Sequence, residues 1–160
     1  MVVGWPSMEL IMLCGIPTAG KSTFSNKSKY KKYVRISSDD VLTAIAKEKG
    51  STYNAVFQKN IKFALKTMDK VLRNAIEDGK DILWDQTNLT AQQRMGKLRL
   101  IPSEYTKIAV WFAIPLQEAL QRNTQREGKV IPPDVLERMY REFEIPSLKE
   151  GFDQVIHGNN

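Results

Sequence analysis

A single cysteine, Cys14, and a single histidine, His157, stand in the 160 residues of this chain. One cysteine excludes an intrachain disulfide and any cysteine-rich zinc site. One histidine, near the end of the sequence, argues against a histidine-based triad and excludes a multi-histidine metal centre. No apolar run approaches the roughly 18–20 residues that span a bilayer. The opening MVVGWPSMEL has neither a basic leader nor a small-residue cleavage site, so it does not read as a signal peptide. These absences lead us to expect a cytoplasmic, reducing setting and no membrane partner. Internal repeats, low-complexity stretches and long linkers are also missing, so residues 1–160 are expected to form one domain. Composition is ordinary for a globular protein: 42% apolar and 26% charged. The formal charge of +6 favours acidic partners such as nucleotides or nucleic acid.

Short apolar or alternating segments recur between helical ones. Met8–Cys14, Tyr33–Ser37, Asp81–Asp85, Lys107–Ala113 and Phe152–Ile156 read as strands. Between them, helices are expected from Ser38, taken as the N-cap, to about Lys49, and from Tyr53 to Asp78. Others follow from Asn88 to Ile101 with Thr90 as cap, from Leu116 to Arg126, and from Pro132–Pro133 to about Phe143. Strands alternating with helices define an α/β fold with a parallel sheet covered on both faces. Residues 1–7 and 158–160 are expected to be loose ends.

Gly15-Ile16-Pro17-Thr18-Ala19-Gly20-Lys21-Ser22 fits G-x-x-x-x-G-K-[ST] between a strand and a helix. Glycines let the backbone close around phosphate oxygens, with N–H groups turned inward and a helix N-terminus adding positive potential. Lys21 then reaches the β- and γ-phosphates, Ser22 ligates Mg²⁺, and Thr23 begins the helix behind them. The segment predicts ATP and Mg²⁺ as cofactors.

Ligands of open parallel sheets sit beyond the carboxyl ends of the strands. Two acidic sites fall there: Asp39 and Asp40 after the second strand, and Asp85 with Asn88 after the third. A carboxylate so placed can take a hydroxyl proton or hold a metal. Arg122 and Arg126 stand at i, i+4, beside Gly128 and Pro132–Pro133, a pattern that reads as a phosphate-clamping lid over roughly residues 122–133. Lys27, Lys29, Lys31, Lys32 and Arg35, with Tyr30 and Tyr33 interleaved, are a candidate nucleic-acid path. Cys14 reads as a buried apolar residue, and His157 as a tail residue without a role.

GIPTAGKST, SSDD, WDQTN, QRNTQREGKVIPPDVLERMYREFEIP and EGFDQVI, in this order, resemble the P-loop polynucleotide 5′-kinase family. The likeness is above all to the phage enzymes and the kinase domains of related end-healing proteins, and it runs from about Glu9 to Ile156. It implies a P-loop NTPase three-layer sandwich with strand order 2-3-1-4-5, and transfer of the ATP γ-phosphate to a hydroxyl. The implied acceptor is a 5′-OH end of DNA or RNA. It further implies Asp39 as general base, Arg126 as a lid arginine acting on the transferring phosphate with Arg122 beside it, and Asp85 on the acceptor side. One position departs: where the family carries an arginine three residues after the base, this chain has Leu42. That departure also fits kinases of phage DNA modification, which act on a hydroxymethylpyrimidine base. Small-molecule kinases and non-kinase P-loop NTPases share the fold.

Overall fold

The computed structural model describes residues 7–159. Its strands are β1 (Met8–Cys14), β2 (Val34–Ile36), β3 (Ile82–Asp85), β4 (Tyr105–Trp111) and β5 (Gln154–His157). Its helices are α1 (Lys21–Ser25), α2 (Ser38–Glu48), α3 (Tyr53–Glu77), α4 (Ala91–Leu98), α5 (Leu116–Thr124) and α6 (Pro133–Glu142). The strands form one parallel sheet in the order β2-β3-β1-β4-β5, as the resemblance implies. Among the described residues, no helix is long and apolar enough to cross a membrane.

β1 is central, and its alternation builds both halves of the core. Leu10, Met12 and Cys14 face one side, with Met68 and Leu72 of α3 and Trp84 of β3. Ile11 and Leu13 face the other, with Val110, Ala119 and Leu136. A strand buried on both faces needs a near-continuous apolar run, which MELIMLC supplies. Cys14 is fully buried and its thiol is pushed up to about 12 by burial, so it packs as an apolar residue.

Several expected boundaries move. Ser37, not Ser38, caps α2: its hydroxyl accepts from the Asp40 amide at 3.3 Å. β4 runs two residues earlier than expected because Tyr105 pairs with Met8 at the start of β1. α5 stops at Thr124 rather than Arg126. The Thr124 hydroxyl turns back to the Gln121 carbonyl at 2.6 Å, and the buried Asn123 amide brackets Ile131, donating to its carbonyl at 2.7 Å and accepting from its N–H at 3.0 Å. Asn123 thereby closes the loop between α5 and α6.

The chain's end is held where it is described. Gly158 donates to the Trp111 carbonyl at 2.7 Å, and a Cβ at Gly158 would lie 2.4 Å from the Phe112 ring. Asn159 accepts from the Ala113 amide at 2.7 Å and donates to the Ala19 carbonyl at 3.0 Å. His157 closes β5 with its ring stacked on Trp111 at 3.9 Å, so it is not a loose tail residue. The rest of the expected loose ends, residues 1–6 and 160, lie outside the described residues.

The basic segment after α1 is not a stacking platform. Tyr30 is buried against Phe24 and Tyr33, with ring centroids 5.0 and 5.3 Å apart. The Tyr33 hydroxyl donates to Glu9 at 2.5 Å, at the amino end of β1. These rings serve the core edge opposite the strand ends where ligands bind.

One buried ion pair fixes the loop after β3. Arg94 of α4 is fully buried; its guanidinium meets Glu150 at 2.6 and 3.1 Å and donates to the Asn88 carbonyl at 2.9 Å. Removing the cation leaves a buried carboxylate with only the Ser147 amide and the Asn88 carbonyl without its partner. Arg94→Ala should therefore cost about 3–5 kcal/mol of stability. Chemical denaturation checks it, and a loss below about 1 kcal/mol would mean that water replaces the guanidinium.

Candidate active site

A cavity of about 320 Å³ opens at the carboxyl ends of β1, β2 and β3. Its floor is the glycine-bracketed loop, where Pro17, Thr18, Gly20, Lys21, Ser22 and Thr23 line the space. Gly20 has φ +115° as the N-cap of α1, a conformation that suits glycine. α1 has no side-chain cap, so its first-turn amides lack a partner from that source. Gly15 contributes backbone, and Ile16 and Ala19 turn their side chains into the core. The Gly15 amide donates to the Thr87 carbonyl at 2.8 Å and the Ala19 amide to Ile16 at 3.3 Å. Neither of these two amides is free to face a phosphate.

Lys21 curls over the loop and donates to the carbonyls of Gly15 and Ile16 at 2.6 and 3.0 Å. Burial pushes its ammonium down to about 8, with Asp85 and Asp39 opposing the shift. A triphosphate beside it would raise the value again. Below pH of about 8 the ammonium is already charged; above it, binding must take up a proton. ATP affinity should therefore weaken by up to about tenfold per pH unit above that point. Calorimetry in buffers of different ionisation heat would register the proton, and a flat affinity through this range would count against it.

Opposite the loop stand three carboxylates. Asp39 and Asp40 begin α2, and Asp85 ends β3; all three border the cavity. The Tyr53 hydroxyl of α3 donates to Asp39 Oδ1 at 2.5 Å. Burial and that carboxylate push the Tyr53 phenol up. Arg35 of β2 binds Asp85 at 2.6 Å and Asp40 at 3.1 Å. Desolvation raises the Asp85 carboxyl, while Arg35 and Lys21 pull it down. Arg35 thus belongs to the site and not to the basic stretch before it. The alternation of Val34 and Ile36, with Arg35 between them, carried that signal.

The two arginines part company. Because α5 ends at Thr124, Arg126 lies past the Gln125 C-cap and not on a helix face with Arg122. Arg122 lines the cavity too, but it is already engaged: it bonds Glu118 at 2.6 Å and the Thr18 carbonyl at 2.9 Å, which ties it to the phosphate loop. Arg126 borders the cavity, and its Nη1 is buried with no hydrogen-bond partner, as is Thr18 Oγ1. Thr18 also holds a left-handed φ of 76°. Orphaned buried donors in a cationic, amide-lined cradle fit an absent anion.

Asn88 corrects the expected acceptor set. It is 2% exposed, its amide donates to the Leu13 carbonyl at 2.7 Å, and its oxygen accepts from Lys97. It is a buried strut. Gln86 is similarly engaged, donating to Ser38 at 3.2 Å and accepting from Trp84 at 3.0 Å and Lys97 at 2.8 Å. Leu42 is fully buried in α2 and faces no ligand space. Two residues that the sequence did not mark, Tyr53 and Lys129, also border ligand space; the Lys129 ammonium sits 4.7 Å from the Tyr53 ring centre.

A second groove of about 410 Å³ continues from Asp39 and Arg126 between α3 and α6. Tyr53 and Phe57 form one wall, Val135 and Met139 the other, each pair at i, i+4.

A parallel sheet in this order, with a phosphate loop after its central strand, is a P-loop kinase-like α/β fold. The chain belongs to the AAA domain family AAA_33, whose profile matches residues 10–146. It is 28% identical over 147 residues to an L-seryl-tRNA(Sec) kinase from Methanococcus maripaludis, covering 90% of this chain and 56% of that protein. It is 26% identical over 147 residues to a protein of Autographa californica nuclear polyhedrosis virus provisionally named bifunctional polynucleotide kinase/RNA ligase. That match covers 86% of this chain and 21% of the viral protein. The chain therefore spans just over half of one relative and a fifth of the other. Among solved structures, a provisionally assigned kinase from Chloroflexus aurantiacus superposes with TM-score 0.72 at 16% identity, covering 96% of this chain and 86% of that one.

Proposed function

We propose that this chain is an ATP-dependent kinase, working in the cytoplasm, that transfers the γ-phosphate to a hydroxyl of a nucleic acid, a 5′-OH polynucleotide end. The observation that carries the kinase reading is one cavity bordered by the phosphate loop, by Asp39 and by Arg126. The name of the viral relative supports the nucleic-acid acceptor. In this reading Lys21 and Arg126 neutralise charge on the transferring phosphoryl group. Asp39 takes the proton from the acceptor oxygen as that oxygen bonds to phosphorus and the bond to the β-phosphate oxygen breaks. The segment from Arg122 to Pro133 covers the site, and the acceptor approaches along the α3–α6 groove. The donor set of Ser22 hydroxyl and nearby carboxylates is all oxygen and suits Mg²⁺, which would add charge neutralisation to the phosphates.

A second reading rests on a specific observation. Leu42 is buried, and Arg35, the cation among the three carboxylates, is ion-paired with two of them. Neither Leu42 nor Arg35 is thus available to hold an acceptor phosphate, which favours a hydroxymethylpyrimidine base in DNA. Transfer of labelled γ-phosphate tests both. The panel is 5′-OH DNA, 5′-OH RNA, DNA with hydroxymethylpyrimidines, free nucleosides and seryl-tRNA. Label on the 5′ end supports the first reading, and label on the base the second. ATP hydrolysis with no labelled acceptor would point to a switch-type nucleotide-binding module instead.

A further inference from the structure

Three consecutive residues at the start of α3 hold the lid, and one of them also holds Asp39. The Asn54 amide donates to the Gly128 carbonyl at 3.0 Å, and its side chain donates to the Val130 carbonyl at 3.0 Å. Thr52, which caps α3, packs so closely on Gly128 that a Cβ there would lie 3.1 Å from the Thr52 Cβ. Between them, the Tyr53 ring carries the Lys129 ammonium on one side, while its hydroxyl reaches Asp39 Oδ1. The lid segment that bears Arg126 and the carboxylate across the cavity thus meet on a single helical turn.

We propose that Tyr53 and Asn54 form a latch that couples lid closure to the orientation of Asp39, with Tyr53 a positioning residue for the transfer reaction. The coupling to catalysis rests on Asp39 acting as the base. The Tyr53 hydroxyl fixes Oδ1 and leaves Oδ2 for the acceptor. When the lid lifts, the two Asn54 bonds and the Lys129–Tyr53 contact break together. Tyr53 then loses its outer support, and Asp39 loses its fixed rotamer. The base is therefore aligned only while Arg126 is in place, which keeps the triphosphate from being attacked by water in an open site. A displacement of about 1 Å matters here, because transfer falls steeply as reacting atoms leave alignment.

Two measurements on the full chain test this. In the first, trypsin cleavage after Arg126 and Lys129 is followed with a non-hydrolysable ATP analogue bound. The wild type should resist, and Asn54→Ala and Tyr53→Ala, the latter removing the ring under Lys129, should be cut about tenfold faster as the lid opens more often. Equal cleavage rates in all three overturn the latch, whether or not any acceptor is phosphorylated. In the second, phosphate transferred per ADP formed is measured with the acceptor that the panel identifies. Tyr53→Phe should lower transfer about tenfold at unchanged ATP KM and raise the share of ADP formed without transfer. A mere packing role would lower the melting temperature and leave that ratio alone, an outcome that overturns the positioning role. Asp39→Asn is the separate control: if it keeps transfer, the assignment of the base fails while the cleavage result still stands.

Discussion

Asp39→Asn is expected to lower phosphoryl transfer by about 10²–10⁴-fold while leaving ATP affinity within about twofold of the wild type. Asparagine is the informative replacement. Its carbonyl oxygen can still accept from the Tyr53 hydroxyl that meets Oδ1 at 2.5 Å, so the side chain keeps its place. What it loses is the capacity to take a proton. Alanine would remove both and leave the cause of any loss ambiguous. Stopped-flow nucleotide binding beside steady-state transfer separates the two quantities. Should Asp39→Asn weaken ATP binding as much as it slows transfer, and should high Mg²⁺ restore it, the carboxylate serves the nucleotide's metal. Should turnover stay near wild type, proton removal is not limiting at this position. Asp85 is the natural comparison, since Arg35 holds it at 2.6 Å and it is nearly buried. Asp85→Asn should disturb Arg35, Asp40 and the acceptor KM before it touches the chemical step.

The part of the site made by main chain was legible in the sequence, because its requirements are local. A glycine-bracketed loop between an apolar run and a helix is a contiguous pattern, and Pro17, Thr18 and Gly20 to Thr23 line the cavity where it falls. The strand order followed from the resemblance, and the burial of β1 on both faces agrees with its uninterrupted apolar run. What stayed hidden depends on tertiary placement. Arg35 lay in a basic run of which Lys29 and Lys32 stand beside Tyr33 and Glu9, away from the cavity, so charge counting merged two different roles. Tyr53 opens a long amphipathic helix, and its ring looked like packing, although its hydroxyl meets the carboxylate on α2. Asn88 looked like an acceptor ligand because it follows the third strand. Its left-handed φ of 46° instead turns the amide inward to Leu13. The i, i+4 arginine rule failed for a different reason: it assumes an unbroken helix. The side chains of Asn123 and Thr124 compete for the backbone and end α5 two residues early.

That early end is what makes Arg126 the second large effect. Had α5 continued, Arg126 would share a surface stripe with Arg122 and act as a solvated charge. Past the C-cap, its guanidinium enters the space between the phosphate loop and the α3–α6 groove, where it borders both. Its Nη1 is buried without a partner, a costly state for a cation unless a ligand oxygen completes it. A phosphoryl group in flight between donor and acceptor gathers charge on its equatorial oxygens, and a fork-shaped donor at that point stabilises it more than the ground state. Arg126→Ala should therefore lower turnover by about 10³-fold and change the ATP KM by less than about threefold. Arg126→Lys keeps the charge but loses the planar fork, and should recover less than about a tenth of the lost activity. Arg122→Ala is the internal contrast. Arg122 is exposed and already bonded to Glu118 and the Thr18 carbonyl, so its loss should loosen the phosphate loop and raise the ATP KM with little effect on turnover. If the two alanine variants behave alike, the orphaned nitrogen of Arg126 has no part in the transition state, and the lid serves only to bind nucleotide.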